Sequence, residues 1–137
     1  MKYGGLTMEK IDIKTIIPCY NIYKEHGGSL DAQEYDRVAY KAMHYIGYVT
    51  LNRAYPHVGE DDNIYWCHAE LCDQFYAINT MQMQINTAKD ITQEVVGTHS
   101  VHYATTAENL QAARDALYPI VKRWLAPYMY RGIPVVV

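Results

Sequence analysis

Apolar positions recur at three-and-four spacing in three stretches of this chain, and the interval between the second and third stretches breaks that rhythm. From Asp31 onward, Tyr35, Val38, Ala39, Ala42, Ile46, Val49 and Arg53 follow helical spacing, so the apolar members share one face. Asp31 with Glu34 three residues on has the capping-box arrangement that starts a helix. Tyr55-Pro56-His57-Val58-Gly59 predicts its end. A second helix opens at Glu60-Asp61-Asp62, where acidic side chains suit the positive end of the helix dipole. Its stripe is Ile64, Cys67, Leu71, Phe75, Ile78 and Ile85, and the period-two run Met81-Gln82-Met83-Gln84 predicts fraying there. A third helix begins at Thr105 or Thr106, with a capping box from Thr105 to Glu108 and a stripe of Leu110, Ala113, Leu117, Val121 and Trp124. Pro119 lies inside it. The helix either kinks there or stops, with Pro119 opening a short fourth helix at its favoured first position.

Between the second and third helices, Asp90 to Tyr103 does not read as helix. Val95, Val96, Val101 and Tyr103 favour strand, and Gly97-Thr98 suits a two-residue hairpin turn. The expectation is a β-hairpin at about 92–104. Alternation puts Glu94 and Val96 on one face of its first strand and His99, Val101 and Tyr103 on one face of its second. Such a ribbon cannot stabilise itself, so it either folds back on its own helices or pairs with another chain. Residues 1–29 read as an N-terminal arm and loop, within which Thr15–Tyr23, broken by Pro18, suggests an edge strand or an extended packing segment. Residues 127–137 are apolar, lack helical spacing and contain Pro134, and so predict an extended tail. The fold expected is one domain, 1–137, mainly α. It is a small bundle of three to four helices over 30–126, with the hairpin inserted between helices two and three.

Composition adds one feature to this picture. There are fourteen Tyr and a single Phe. Tyr joins an apolar ring to a wet end, so these residues either replace Phe in a small core or populate interfaces. Net charge is −3 and no run of Lys or Arg exists, which disfavours tight electrostatic binding of nucleic acid. The start, MKYGGLTMEKIDIK, lacks the apolar core of a signal peptide, and no apolar run is long enough to span a bilayer. An odd count of three Cys without framework spacing suggests reduced thiols in an intracellular setting.

Candidate chemistry is sparse. His68 and Cys72 lie one helical turn apart, a spacing open to a metal, but two ligands do not make a zinc site. His99 and His102, three apart in a strand, point to opposite faces and cannot chelate together. Asp61 and Asp62 are explained by the helix start, and nothing local activates Cys19 as a nucleophile. No nucleophile elbow, phosphate loop or dinucleotide motif is present. The expectation is a non-enzyme with no catalytic residues, metal or cofactor. The competing readings are a small soluble enzyme or metal-binding protein using His and Cys, and a small helical regulator that binds nucleic acid.

Four stretches taken together resemble the head–tail connector proteins of tailed bacteriophages, the adaptor or head-completion proteins beneath the portal. They are Ala42–Arg53 (AMHYIGYVTLNR), Ala69–Asp73 (AELCD), Glu94-x-Val-Gly-x-x-Ser-Val-x-Tyr103, and Trp124-Leu125 followed by Tyr130-Arg131-Gly132. Their order and spacing cover roughly residues 30–133. Gln93 stands where the family often has Ser, and Pro127 and Met129 where it often has a Gly-rich break. The resemblance implies a small helical subunit without enzymatic activity, in a closed ring of typically twelve copies. It also implies a portal above, a stopper or tail-completion protein below, a lumen for DNA in transit and no membrane. The protein would sit in the neck of the virion after assembly in the bacterial cytoplasm. On that reading the ribbon residues Glu94, Val96, His99, Val101 and Tyr103 make the contact between subunits. Tyr128, Tyr130, Arg131, Ile133, Val135, Val136 and Val137 in turn meet the portal or another partner.

Overall fold

A computed structural model describes residues 11–92 and 98–129 of the chain, with side chains described for 11–86 and 107–129. The first two elements are short helices, α1 (Ile13–Ile16) and α2 (Tyr20–Glu25). This corrects the extended reading of Thr15–Tyr23. Pro18 sits in the break between the helices, where its missing N–H leaves no helical bond unmade. Asp12 caps α1 by accepting from the Lys14 N–H at 3.1 Å. Gly27, at φ 90°, ends α2. The Gly28 and Gly27 amides bond back to the Tyr23 and Lys24 carbonyls, the paired arrangement of a Schellman end. Gly28 also lies flat against the Tyr23 ring, where any Cβ would overlap it.

The third helix, α3 (Ala32–Thr50), begins as its sequence predicts. Asp31 accepts from the Glu34 N–H at 2.8 Å, and Glu34 accepts from the Asp31 N–H at 3.0 Å. It buries Tyr35, Val38, Ala39, Ala42, Met43, Ile46, Gly47 and Thr50. The Thr50 hydroxyl donates to the Ile46 carbonyl at 2.8 Å, which satisfies a polar group with no access to water. The helix stops earlier than the Tyr55–Gly59 signal. Leu51 and Asn52 both take left-handed backbone (φ 53° and 65°), and Tyr55–His57 forms a separate 3-10 turn.

Every longer element packs on α4 (Asp62–Thr92). Its buried set includes the predicted stripe Ile64, Cys67, Leu71, Phe75, Ile78 and Ile85, and adds His68, Ala69 and Cys72. The extra residues are buried because α4 meets α2 and α3 on one side and the C-terminal helices on the other. No fraying occurs at Met81–Gln84; the helix continues to Thr92.

The hairpin is the chief correction. Among the described residues there is no β-strand. Thr92 is the last residue of α4, and His99, Val101 and Tyr103 belong to α5 (Thr98–Asp115), while Glu94 and Val96 lie outside the described residues. Strand propensity spans only about 1 kcal/mol and yields to context. Here the context is a long helical partner, since α5 runs back along α4, whereas an isolated ribbon would have no such support. The Thr105–Glu108 box therefore falls in a helix interior. His99 and His102 both fall in α5, so the strand alternation expected to separate them does not apply. The helix then breaks at Ala116, and α6 (Leu117–Leu125) carries Pro119 in its first turn, where no intrahelical donor is needed. Leu117, Ile120, Val121 and Leu125 face the core, and a 3-10 turn at Ala126–Tyr128 leads to buried Met129.

The pairs that tie the C-terminal half to α4 show an antiparallel course. Arg114 donates to Gln82 at 3.0 Å, Gln74 to the Ala113 carbonyl at 2.8 Å, Arg123 to Glu70 at 2.7 Å, and Tyr128 to Asp61 at 2.6 Å. No helix among the described residues is long and apolar enough to cross a membrane.

Candidate functional site

Among the described residues, His68, Cys67, Cys72, Asp61 and Asp62 are engaged in holding the bundle together. His68 is fully buried and donates from Nε2 to the Ala39 carbonyl at 2.9 Å. Cys72 Sγ lies 3.8 Å from Nδ1, the nitrogen left to accept. Burial lowers the His68 pKa to about 4, and burial raises both the Cys72 and Cys67 thiols. The pair is thus a neutral imidazole and a protonated thiol inside the core. Among the described residues no three His, Cys, Asp or Glu side chains group to hold a metal ion. Cys19 is exposed at the start of α2.

Asp61 and Asp62 work as a helix start and as clamps. Asp61 accepts from the Asn63 N–H at 3.0 Å and from Tyr128. Asp62 bonds His26 at 2.9 Å and accepts from Trp66 at 3.2 Å. Burial works against charge on His26, but its bonds to the Ile22 carbonyl and to Asp62 outweigh that and raise its pKa. Trp66 stacks on Trp124 at 6.0 Å between centroids, and Glu70 accepts from both Trp124 and Arg123. Three of the four stretches that carry the family resemblance therefore meet at α4. Ala42 and Ile46 are buried in α3, Ala69, Leu71 and Cys72 in α4, and Leu125 in α6, while Arg53 reaches the Met129 carbonyl at 3.4 Å.

Of the residues assigned to a portal or partner contact, Tyr128 is described, and its hydroxyl is taken up by Asp61. That bond, with partial burial, raises its pKa to about 12. Tyr130, Arg131, Ile133 and Val135–Val137 lie outside the described residues.

The surface that sequence reasoning missed is aromatic. Tyr40 (47 % exposed) stacks on His44 along the outer face of α3, followed by Tyr48 (73 %) and Leu51 (57 %). Tyr118 of α6 (50 %) comes close to Tyr48 and Leu51. Tyr45, Tyr48, Val49, Leu51, Tyr118 and Met129 line a shallow groove of about 400 Å³. The signal was present in part: 40, 44 and 48 recur every four residues on the side of α3 away from its apolar stripe. Tyr118 and Met129 come from elsewhere in the chain and could not be placed beside it from spacing.

Comparison with family models, curated proteins and solved structures yields no match to this chain.

Proposed function

We propose that this chain is a structural assembly protein, a head–tail connector of the tailed-bacteriophage kind. On this reading it is a subunit of a ring, of typically twelve copies in that family, which joins a portal to a stopper or tail-completion protein and lets DNA pass. Its place is the neck of the virion, after assembly in the host cytoplasm. The observation that supports the reading is the aromatic ledge of Tyr40, His44 and Tyr48 on the outer face of α3. Exposed aromatic rings gathered on one face mark a protein-binding surface, because each ring gains burial without losing its polar tip. The resemblance of residues 42–53, 69–73, 94–103 and 124–132 then specifies the kind of assembly.

The subunit contact assigned to free strand edges loses its basis with the hairpin. The α3 ledge, centred on Tyr40 and His44, takes its place. A closed ring uses two different surfaces per copy, so one ledge serves every interface. The tail residues Tyr130, Arg131, Ile133 and Val135–Val137 remain the portal contact of the assembled ring.

The test is light scattering and negative-stain imaging of the full chain, alone and mixed with the portal protein of the same genome. The expected result is a ring whose mass is a multiple of 15.8 kDa, seated on the portal. A chain that stays monomeric and leaves the portal bare overturns the reading.

A further inference from the structure

Of six large hydrophobic side chains exposed among the described residues, three (Tyr48, Leu51 and Tyr118) belong to one groove. The groove has two origins, since α3 and its end supply Tyr45, Tyr48, Val49 and Leu51, and the C-terminal half supplies Tyr118 and Met129. Leu51 reaches its rim only because the helix ends on left-handed backbone at a non-glycine residue, a conformation disfavoured for a branched side chain. A polar residue or glycine there would cap α3 with less strain and without exposing an apolar side chain.

Met129 is both a wall of this groove and the last described residue, so the chain leaves from the groove itself. Eight residues follow, Tyr130-Arg131-Gly132-Ile133-Pro134-Val135-Val136-Val137. At about 3.3–3.6 Å per residue they reach at most about 29 Å, enough to lie along a surface that begins at their own root. Four of the last five are branched aliphatic, and Pro134 forbids a helix that would fold them onto themselves.

We propose that this groove is the docking site of the chain's own C-terminal segment, with Ile133 and Val135–Val137 against Tyr48, Leu51 and Tyr118. Tethering decides the occupant. A segment joined directly to the groove is present at millimolar effective concentration, far above that of any second copy in dilute solution. Docking covers two apolar liabilities at once, the groove and the tail. It is a property of the free subunit and does not depend on the connector reading. Tyr40 and His44 lie outside the groove lining and stay open to a neighbour.

The experiment measures release of the three C-terminal valines from the full chain by carboxypeptidase, read by mass spectrometry. The Tyr48→Ser/Tyr118→Ser variant should release them about tenfold faster, because a docked segment is cut only when it opens. Equal rates overturn the proposal. Slower release at higher protein concentration overturns it too, since a second copy would then be the occupant. A reciprocal variant, Val136→Asp, should speed nitration of Tyr48 and Tyr118 several-fold with the urea midpoint unchanged. Unchanged nitration also overturns the proposal.

Discussion

Tyr35 and Tyr40 are the same residue type on the same helix, five positions apart, and they sit in opposite worlds. Tyr35 is buried, stacks on Tyr23 at 4.4 Å, and donates its hydroxyl to the Pro18 carbonyl. Tyr23 in turn donates to Asp73 and accepts from the Leu30 N–H at 2.9 Å, and Tyr20 donates to the Leu30 carbonyl at 2.8 Å. Tyr55, from its 3-10 turn, reaches the Met43 carbonyl at 3.0 Å; its ring lies so close to Gly47 that any Cβ there would collide with it. Burial raises the pKa of all three buried tyrosines, Tyr55 to about 12, so each stays a neutral donor. Tyr40, Tyr48 and Tyr118 instead lie with rings in water. The excess of Tyr over Phe thus has two causes. One set fills a core and gives its hydroxyls to acceptors in a loop, a side chain and a helix that Phe could not serve, and the other forms a surface.

The comparison is broken most severely by removing the inner ring. Tyr35→Ala should cost about 3–5 kcal/mol, the usual range for a buried aromatic truncated to Ala. That is a large share of the about 5–15 kcal/mol that a domain of this size has. Urea unfolding followed by far-UV circular dichroism measures it. A cost below about 1 kcal/mol would mean that the inner cluster is not where the stability lies.

Acid should act on the same region. His68 meets the Tyr35 ring edge-on at 6.0 Å. Its pKa falls from 6.5 to about 4 on folding, so the unfolded chain binds more protons than the folded one between those values. Stability from this group is complete above about pH 6.5 and declines as pH drops through that window, by on the order of 3 kcal/mol at pH 4. His26 moves the other way, since its raised pKa favours the folded state in acid. The check is therefore the difference between the native chain and His68→Gln. The loss in unfolding free energy between pH 7 and pH 4.5 should be smaller in the variant.

How much of this was legible depends on whether the signal was local. The Asp31–Glu34 box and the α4 stripe are encoded within a few residues, and the structure follows them; the break expected at Pro119 falls three residues earlier, at Ala116, so that Pro119 is the third residue of α6 and not its first. The start of α5 at Thr98 is not encoded locally. Val101 and Tyr103 prefer strand by propensity, yet both fall within α5, a helix that packs on α4. Likewise Pro18 ends one short helix and precedes another, a pattern that reads as extended from composition alone. For the surface, the four-residue recurrence of Tyr40, His44 and Tyr48 was visible, but a total Tyr count hides it. The groove joins α3 to Tyr118 and Met129, and only the antiparallel course of the C-terminal half brings those together.

The smallest effect on stability sharpens the comparison most. Tyr40 is nearly half exposed, and its one ring contact described is the stack on His44 at 6.2 Å, an i, i+4 pair on the helix surface. Such pairs contribute about 0.2–0.5 kcal/mol, and Ser and Tyr have similar helix propensities. Tyr40→Ser should therefore change the unfolding free energy by no more than about 0.5 kcal/mol, against several for Tyr35. If the outer face binds neighbouring subunits, the same change removes aromatic area from the centre of that contact, where such residues carry most of the energy. Light scattering across a concentration series should then show assembly weakened while the urea midpoint stands still. A midpoint shift worth more than about 1 kcal/mol would make Tyr40 part of the core after all. Unaltered assembly would move the subunit contact off α3.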